Sequence, residues 1–189
     1  MSIVVAVKKE GEIAIAADSL SSCGSLMVRP QYKVNHKKVY RAGKSWVGLV
    51  GWSALGNVFE HLLVHKKDVM AFSDRAAIFE SLLKIHKTLK ETYFVETSED
   101  DDQPVESNQI DGLVISQKGI FSFCSYRNVN EYERFWAIGS GRDFALGAMH
   151  ACYKEKLSAR KIAEKGVLAG CEFNNSCGAP VQVKMIKVT

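Results

Sequence analysis

Ser2-Ile3-Val4-Val5-Ala6-Val7-Lys8-Lys9-Glu10-Gly11-Glu12-Ile13-Ala14-Ile15-Ala16-Ala17-Asp18 follows Met1 and has the pattern of a tight hairpin of two buried strands. Ile3 to Val7 is an unbroken apolar run. Lys8-Lys9-Glu10-Gly11 supplies a wet turn in which Gly11 suits a left-handed backbone, and Glu12 to Ala17 returns with Ile13 and Ile15 on one face. Asp18 ends the return strand. In a hairpin this short, the end of the second strand lies beside the start of the first, so spacing alone places Asp18 near Ser2. A residue as small as Ser2 is expected to follow removal of Met1. That would leave a free α-amine beside a hydroxyl, one group able to serve as base for the other.

Working outward, Asp18 to Pro30 is polar and reads as a surface excursion. Lys33, Lys37 and Lys38 then lead into a second hairpin: Val39-Tyr40, a turn at Gly43-Lys44, and a buried strand from Trp46 to Gly51. Gly48 and Gly51 allow close backbone approach, either for packing or for a substrate backbone. Leu55, Val58, Phe59, Leu62 and Leu63 fall at helical spacing, in a helix ending around His65-Lys66-Lys67. A second helix starts near Ser73-Asp74 and carries Ile78, Phe79, Leu82, Leu83, Ile85 and Leu89. Residues 96–107 are too acidic and polar to pack and read as a mobile loop.

Strands return at Gly112 to Ser116, Gly119 to Cys124 and Arg134 to Ile138, the last running into Gly139-Ser140-Gly141. Helices follow from Phe144 to Tyr153 and from Ala159 to about Cys171, the latter capped by Ser158. A final strand starts at Val181 and continues to Val188. The order is strands, two helices, strands, two helices, strand, which is not βαβ repetition. It predicts an α+β chain: a four-layer αββα sandwich, two antiparallel sheets between helical layers, in a single domain over residues 1–189.

Composition narrows the function. The 189 residues are 47% hydrophobic, enough for a substantial core. Lys and Arg number 25 against 21 Asp and Glu, a formal +4 with no basic stripe interleaved with aromatics, so no nucleic-acid partner is expected. No apolar segment is long enough to span a membrane and no secretion signal is evident, so a cytoplasmic setting is expected. Cys23, Cys124, Cys152, Cys171 and Cys177 show no CxxC spacing, and Cys171 and Cys177 have no nearby histidine. Neither a metal nor a cofactor is expected. The five histidines form no HExxH, there is no GxSxG, and Gly139-Ser140-Gly141 lacks the ending of a phosphate loop.

What remains is Ser2, Asp18 and a lysine between positions 33 and 38. A serine hydroxyl is a weak nucleophile and needs a base. An α-amine, with an unperturbed pKa near about 8, is a better base than an ordinary lysine. A lysine held protonated by Asp18 would favour the deprotonated forms of both hydroxyl and amine. The same residues allow a plainer reading in which Asp18 caps the Ser19 to Ser22 turn and the lysines are solvated.

At these residues the chain resembles the proteasome β-subunit and HslV family of N-terminal nucleophile hydrolases, and within it the proteasome homologues of β-proteobacteria. The resemblance runs through Ile15-Ala16-Ala17-Asp18-Ser19, Lys38-Val39, Leu49-Val50-Gly51, Ile138-Gly139-Ser140-Gly141 and Leu157-Ser158-Ala159-Arg160-Lys161-Ile162-Ala163. It implies that Ser2 stands where the family has a nucleophilic threonine and that Asp18 orients a catalytic lysine. Lys38 is the choice for that lysine, with Lys33 as a rival register. It further implies the Gly51 N–H as oxyanion donor, Leu49 beside the substrate side-chain pocket, and Ser140 beside the terminal amine. Where the family commonly has Asp-Ser-x-Ser-Gly, this chain has Asn174-Asn175-Ser176-Cys177-Gly178, putting Asn174 at the aspartate and Cys177 at a serine. The activity implied is an endopeptidase working through an acyl-enzyme on Ser2. A catalytically quiet ring scaffold and an amidase of small substrates are the alternatives. The implied partners are further copies of the chain in stacked homomeric rings, peptide or unfolded protein as substrate, and an ATPase unfoldase.

Overall fold

The opening hairpin forms β1 (Ile3–Lys9) and β2 (Glu12–Ala17), paired antiparallel from Val4 opposite Ala17 to Lys9 opposite Glu12. The structure is a computed structural model and describes residues 2–66, 70–98 and 101–188. Met1 removal, the helix end at Lys67, and Glu99 and Asp100 of the acidic stretch therefore lie outside the described residues. The turn is only Glu10-Gly11, both left-handed at φ 51° and 76°, which matches the twist of the flanking strands. Lys8 and Lys9 belong to β1, not to the turn. The Lys9 ammonium donates to the Tyr153 and Glu155 carbonyls at 2.9 and 2.5 Å, and the Lys8 carbonyl accepts from the Tyr153 hydroxyl at 2.6 Å.

The remaining strands are β3 (Ser21–Cys23), β4 (Leu26–Val28), β5 (Val39–Ala42), β6 (Ser45–Val50), β7 (Asp111–Ile115), β8 (Ile120–Phe123), β9 (Val129–Tyr132), β10 (Phe135–Gly139) and β11 (Gln182–Lys187). The helices are α1 (Ser53–His65), α2 (Arg75–Thr92), α3 (Arg142–Cys152) and α4 (Ala159–Phe173). Asp74 and Ser158 cap α2 and α4, accepting from the N–H groups of Ala77 and Lys161. One sheet runs β10-β1-β2-β11 and the other β5-β6-β7-β8-β9, every pair antiparallel.

Ile3, Val5, Val7, Ala14 and Ala16 pack under α3 and α4 against Ala145, Met149, Ile162, Ala163 and Val167. From the opposite face, Val4, Ala6, Ile13 and Ile15 meet Val39, Leu113, Ile115 and Ile120 of the second sheet. That sheet's far face packs on Phe59, Leu62, Ile78, Leu82 and Leu89 of α1 and α2. The result is the αββα sandwich. A strand covered on both faces has no wet side, which is why Ile3 to Val7 and Ile13 to Ala17 read as continuous apolar runs. Gly48 lets the sheets approach: a Cβ there would lie 2.4 Å from Val4 Cγ1.

Three further segments depart from the sequence reading. Asp18, Ser19 and Leu20 are buried, and the chain reaches the surface only at the β3–β4 hairpin. β9 is an edge strand whose Asn130 and Glu131 are exposed, so it carries no hydrophobic signature. The acidic segment packs at both ends, where Thr97 and Ser107 are buried and the Ser107 N–H donates to the Thr97 carbonyl at 2.9 Å. Next to it, Glu106 pairs with His86 at 2.9 Å and with Lys90. No helix among the described residues is long and apolar enough to cross a membrane.

Candidate active site

Asp18 follows the last residue of β2 into full burial, and its carboxylate is satisfied on both oxygens. Oδ1 accepts from the Ile3 N–H at 3.0 Å and from Lys38 Nζ at 2.7 Å; Oδ2 accepts from the N–H groups of Leu20 and Gly178 at 3.1 and 3.0 Å. Lys38 Nζ donates in addition to the Leu20 carbonyl at 2.6 Å, and its side chain is only 11% exposed. A buried charge persists only when paired and hydrogen-bonded, and both members of this pair are. The bond from Leu20 shows that Asp18 does cap the turn after it, while the same carboxylate holds Lys38. The plainer reading is therefore half realised, but Lys38 is not solvated. Lys33, the rival register, donates instead to Ser21 Oγ at 3.1 Å.

The lysine's backbone is fixed from two sides. Its carbonyl accepts from the Leu49 N–H at 3.0 Å. On the other side stands Gln182, which sequence reading passed over. Its Oε1 accepts from the Lys38 N–H at 3.4 Å, and its Nε2 donates to Ser19 Oγ at 2.9 Å and to the His36 carbonyl at 3.0 Å. One amide thus ties the end of β2 to the segment carrying the lysine. Its only sequence signal is an amide between Val181 and Val183; the role becomes visible once the register sets Gln182 opposite Ala17.

Ser2 is 6% exposed and is positioned through its carbonyl, which accepts from the Ser140 N–H at 2.9 Å and Ser140 Oγ at 3.3 Å. Gly139 makes that approach possible. It sits at φ 94°, and a Cβ there would lie 2.2 Å from the Ser2 carbonyl oxygen. Asn174 Oδ1 accepts from Ser140 Oγ at 3.3 Å, the Ser176 N–H at 3.0 Å and Cys177 Sγ at 3.6 Å, while its Nδ2 donates to the Ser140 carbonyl at 3.0 Å. An aspartate could accept the first three but would oppose that carbonyl, so the pocket suits an amide. Cys177 Sγ lies 3.8 Å from Ser140 Oγ. Burial, and then the charge of Asp18, push the Cys177 thiol up, and the same two causes push Cys171 up to about 12. Near neutral pH both are thiols, available as weak donors and not as nucleophiles.

Ser2, Lys38, Leu49 and Gly51 line one cleft of about 630 Å³. Gly51 is left-handed at φ 111°, and nothing lies within 4 Å of where its Cβ would be. The two glycines of this strand region thus divide the alternatives: Gly48 serves packing, and Gly51 opens the backbone to the cleft. Among the described residues no group of three or more His, Cys, Asp or Glu could hold a metal ion.

The family described as "Proteasome subunit" matches residues 2–172. Thiobacillus denitrificans BPH in complex with epoxomicin is 33% identical, covers 99% of each chain and superposes with a TM-score of 0.90. The structure described as Thiobacillus denitrificans BPH alone is 34% identical over 99% of this chain and 98% of that one, also at 0.90. Eukaryotic HslV from Trypanosoma brucei shares the fold at a TM-score of 0.68 with 18% identity, over 98% of this chain and 99% of its own. With these likenesses over almost the full length and the site built at the head of β1, the chain belongs to the proteasome-subunit family and is a peptidase of the N-terminal nucleophile type.

Proposed function

We propose that Ser2 Oγ is the nucleophile, exposed to chemistry by removal of Met1 and served by the freed α-amine. The observation that carries this reading is the buried Asp18–Lys38 pair, 2.7 Å apart, whose Lys38 lines the same cleft as Ser2. The hydroxyl proton passes to the amine as Oγ bonds to the peptide carbonyl carbon. The resulting oxyanion is held by the Gly51 N–H. The carbon–nitrogen bond then breaks, the leaving amine takes the proton, and an ester remains on Ser2. Water adds to that ester with the α-amine again as base, and Oγ recovers its proton as the acid product leaves. The Lys38 ammonium stands beside these steps, held in place by the Asp18 carboxylate and the Leu20 carbonyl. Leu49 gives the cleft an apolar wall for a substrate side chain.

Serine lacks the methyl group that would restrict χ1, and Asn174 brings no charge to Ser140. Both support a slower peptidase than an aspartate-supported threonine would give. The chain acts in this reading as one hydrolase domain that assembles with copies of itself into stacked homomeric rings, takes peptides or unfolded chains, and accepts them from an ATPase unfoldase. Exposed Phe144 and Phe173, their ring centroids 5.4 Å apart and tilted by 34° on the α3–α4 face, support self-association there.

Lys38→Met tests the chemistry. It keeps the length and apolar stem of the side chain, and Asp18 keeps three backbone donors. Peptide hydrolysis is expected to fall by about a hundredfold to a thousandfold, the usual range for a lost electrostatic stabiliser, while circular dichroism stays native. Unchanged hydrolysis would remove Lys38 from the mechanism.

A further inference from the structure

The cleft holds a cation that hydrolysis leaves unused. Lys33 lines the wall that Ser2 and Lys38 share, half-buried, and among the described residues it forms no ion pair. Its ammonium has three donors, of which the Ser21 hydroxyl takes one. The backbone behind it is pinned, because His36 Nδ1 lies 2.8 Å from the Lys33 carbonyl. Charge along the cleft is one-sided: Lys33, Lys37 and Lys38 line it, and among the described residues no aspartate or glutamate does. Lys38 is balanced by Asp18 beneath it; among the described residues Lys33 and the exposed Lys37 have no such partner.

We infer that Lys33 selects substrates, favouring peptides that carry an acidic side chain near the scissile bond. This rests on the reading of Ser2 as nucleophile, since only a peptide bound for attack would lay its flanking side chains along this wall. A glutamate or aspartate carboxylate meets the free ammonium donors in a charge-assisted hydrogen bond, and Ser21 Oγ keeps the ammonium from swinging out to solvent. Glutamine has the same shape without the charge, and lysine meets repulsion, so discrimination comes from attraction and rejection together.

The test uses end-capped peptides, which removes terminal carboxylates as an alternative source of the same chemistry. Glu, Gln or Lys is placed at each position flanking the scissile bond, and kcat/KM is measured for wild type, Lys33→Met and Lys33→Glu. The readout is the ratio between peptides within each variant, so an overall change in activity cancels. At one or more positions Glu is expected over Gln by about tenfold in wild type, the scale of one charge-assisted hydrogen bond at a partly exposed site. That ratio should collapse to less than about twofold in Lys33→Met and turn toward Lys in Lys33→Glu. A wild-type ratio near one at every position, or a ratio that survives Lys33→Met, overturns the inference. Labelling of Ser2 by a peptide β-lactone, run in parallel, separates the two levels. Labelled but indiscriminate enzyme refutes the role of Lys33 alone; no label and no cleavage refute the nucleophile reading and this inference with it.

Discussion

Replacing Asp18 with alanine is expected to abolish detectable peptide hydrolysis and to lower the melting temperature by roughly 10 °C. The second effect follows from removing one member of a buried ion pair. Lys38 would remain 11% exposed with only the Leu20 carbonyl as partner, and the N–H groups of Ile3, Leu20 and Gly178 would lose their acceptor. Breaking such a pair from one side costs about 3–5 kcal/mol, and about 2–4 °C accompanies each kcal/mol in a chain of this size. Asp18→Asn separates the contributions. The amide keeps the shape and one acceptor but turns an NH2 toward groups that are all donors, and it brings no charge. It should fold better than Asp18→Ala yet be nearly as inactive, read by thermal denaturation beside steady-state hydrolysis. A stable, active Asp18→Ala would show that the carboxylate only caps its turn.

Gly139→Ala is the other large effect. The residue sits at φ 94°, where an L side chain is strained by about 1–3 kcal/mol whatever the space. Space is also lacking, because the new Cβ would meet the Ser2 carbonyl oxygen at 2.2 Å, and that atom is backbone with nowhere to swing. Ser2 must shift, and with it the bonds from Ser140. A displacement on the order of 1 Å at the reacting atom costs about a hundredfold in rate. Labelling of Ser2 and hydrolysis are both expected to fall by at least about that factor. Gly147→Ala in α3 is the comparison: its Cβ would meet nothing within 4 Å and φ is not left-handed, so a gain of about 0.5–1 kcal/mol is expected instead. Equal effects from the two substitutions would contradict the positioning role of Gly139.

Asp18, Gly139 and the elements that carry them were unequally legible in the sequence. The hairpin could be read because its apolar runs, its glycine turn and its short span are local, and the span alone brought Asp18 back to residue 2. The helices and their caps could be read for the same reason. What escaped was non-local or polar. β9 escaped because an edge strand with exposed Asn130 and Glu131 has no apolar pattern to find. Burial of Ser19 and Leu20 escaped because a polar stretch next to a turn looks like surface, while here the backbone is drawn inward by the Asp18 carboxylate and Gly178.

Charge and spacing alone left Lys33 and Lys38 as rivals, and only the resemblance at Lys38-Val39 favoured Lys38; in the fold both line the cleft, Lys38 on Asp18 and Lys33 on Ser21. Gln182 illustrates the limit most clearly. A single amide bonds to Ser19, to the His36 carbonyl and to the Lys38 N–H, three groups more than 140 residues away in sequence. No local pattern encodes that meeting, because it is made by the pairing of the final strand with β2.

If Ser2 Oγ is the attacking atom, intact mass will show it. Protein shown by mass to lack Met1 is treated with a peptide β-lactone or vinyl sulfone, and the adduct is located by peptide mapping. One probe per chain, on Ser2 and absent from Ser2→Ala, is the expected result. Unmodified Ser2 in protein that lacks Met1, or an adduct on Cys177 in its place, would contradict it.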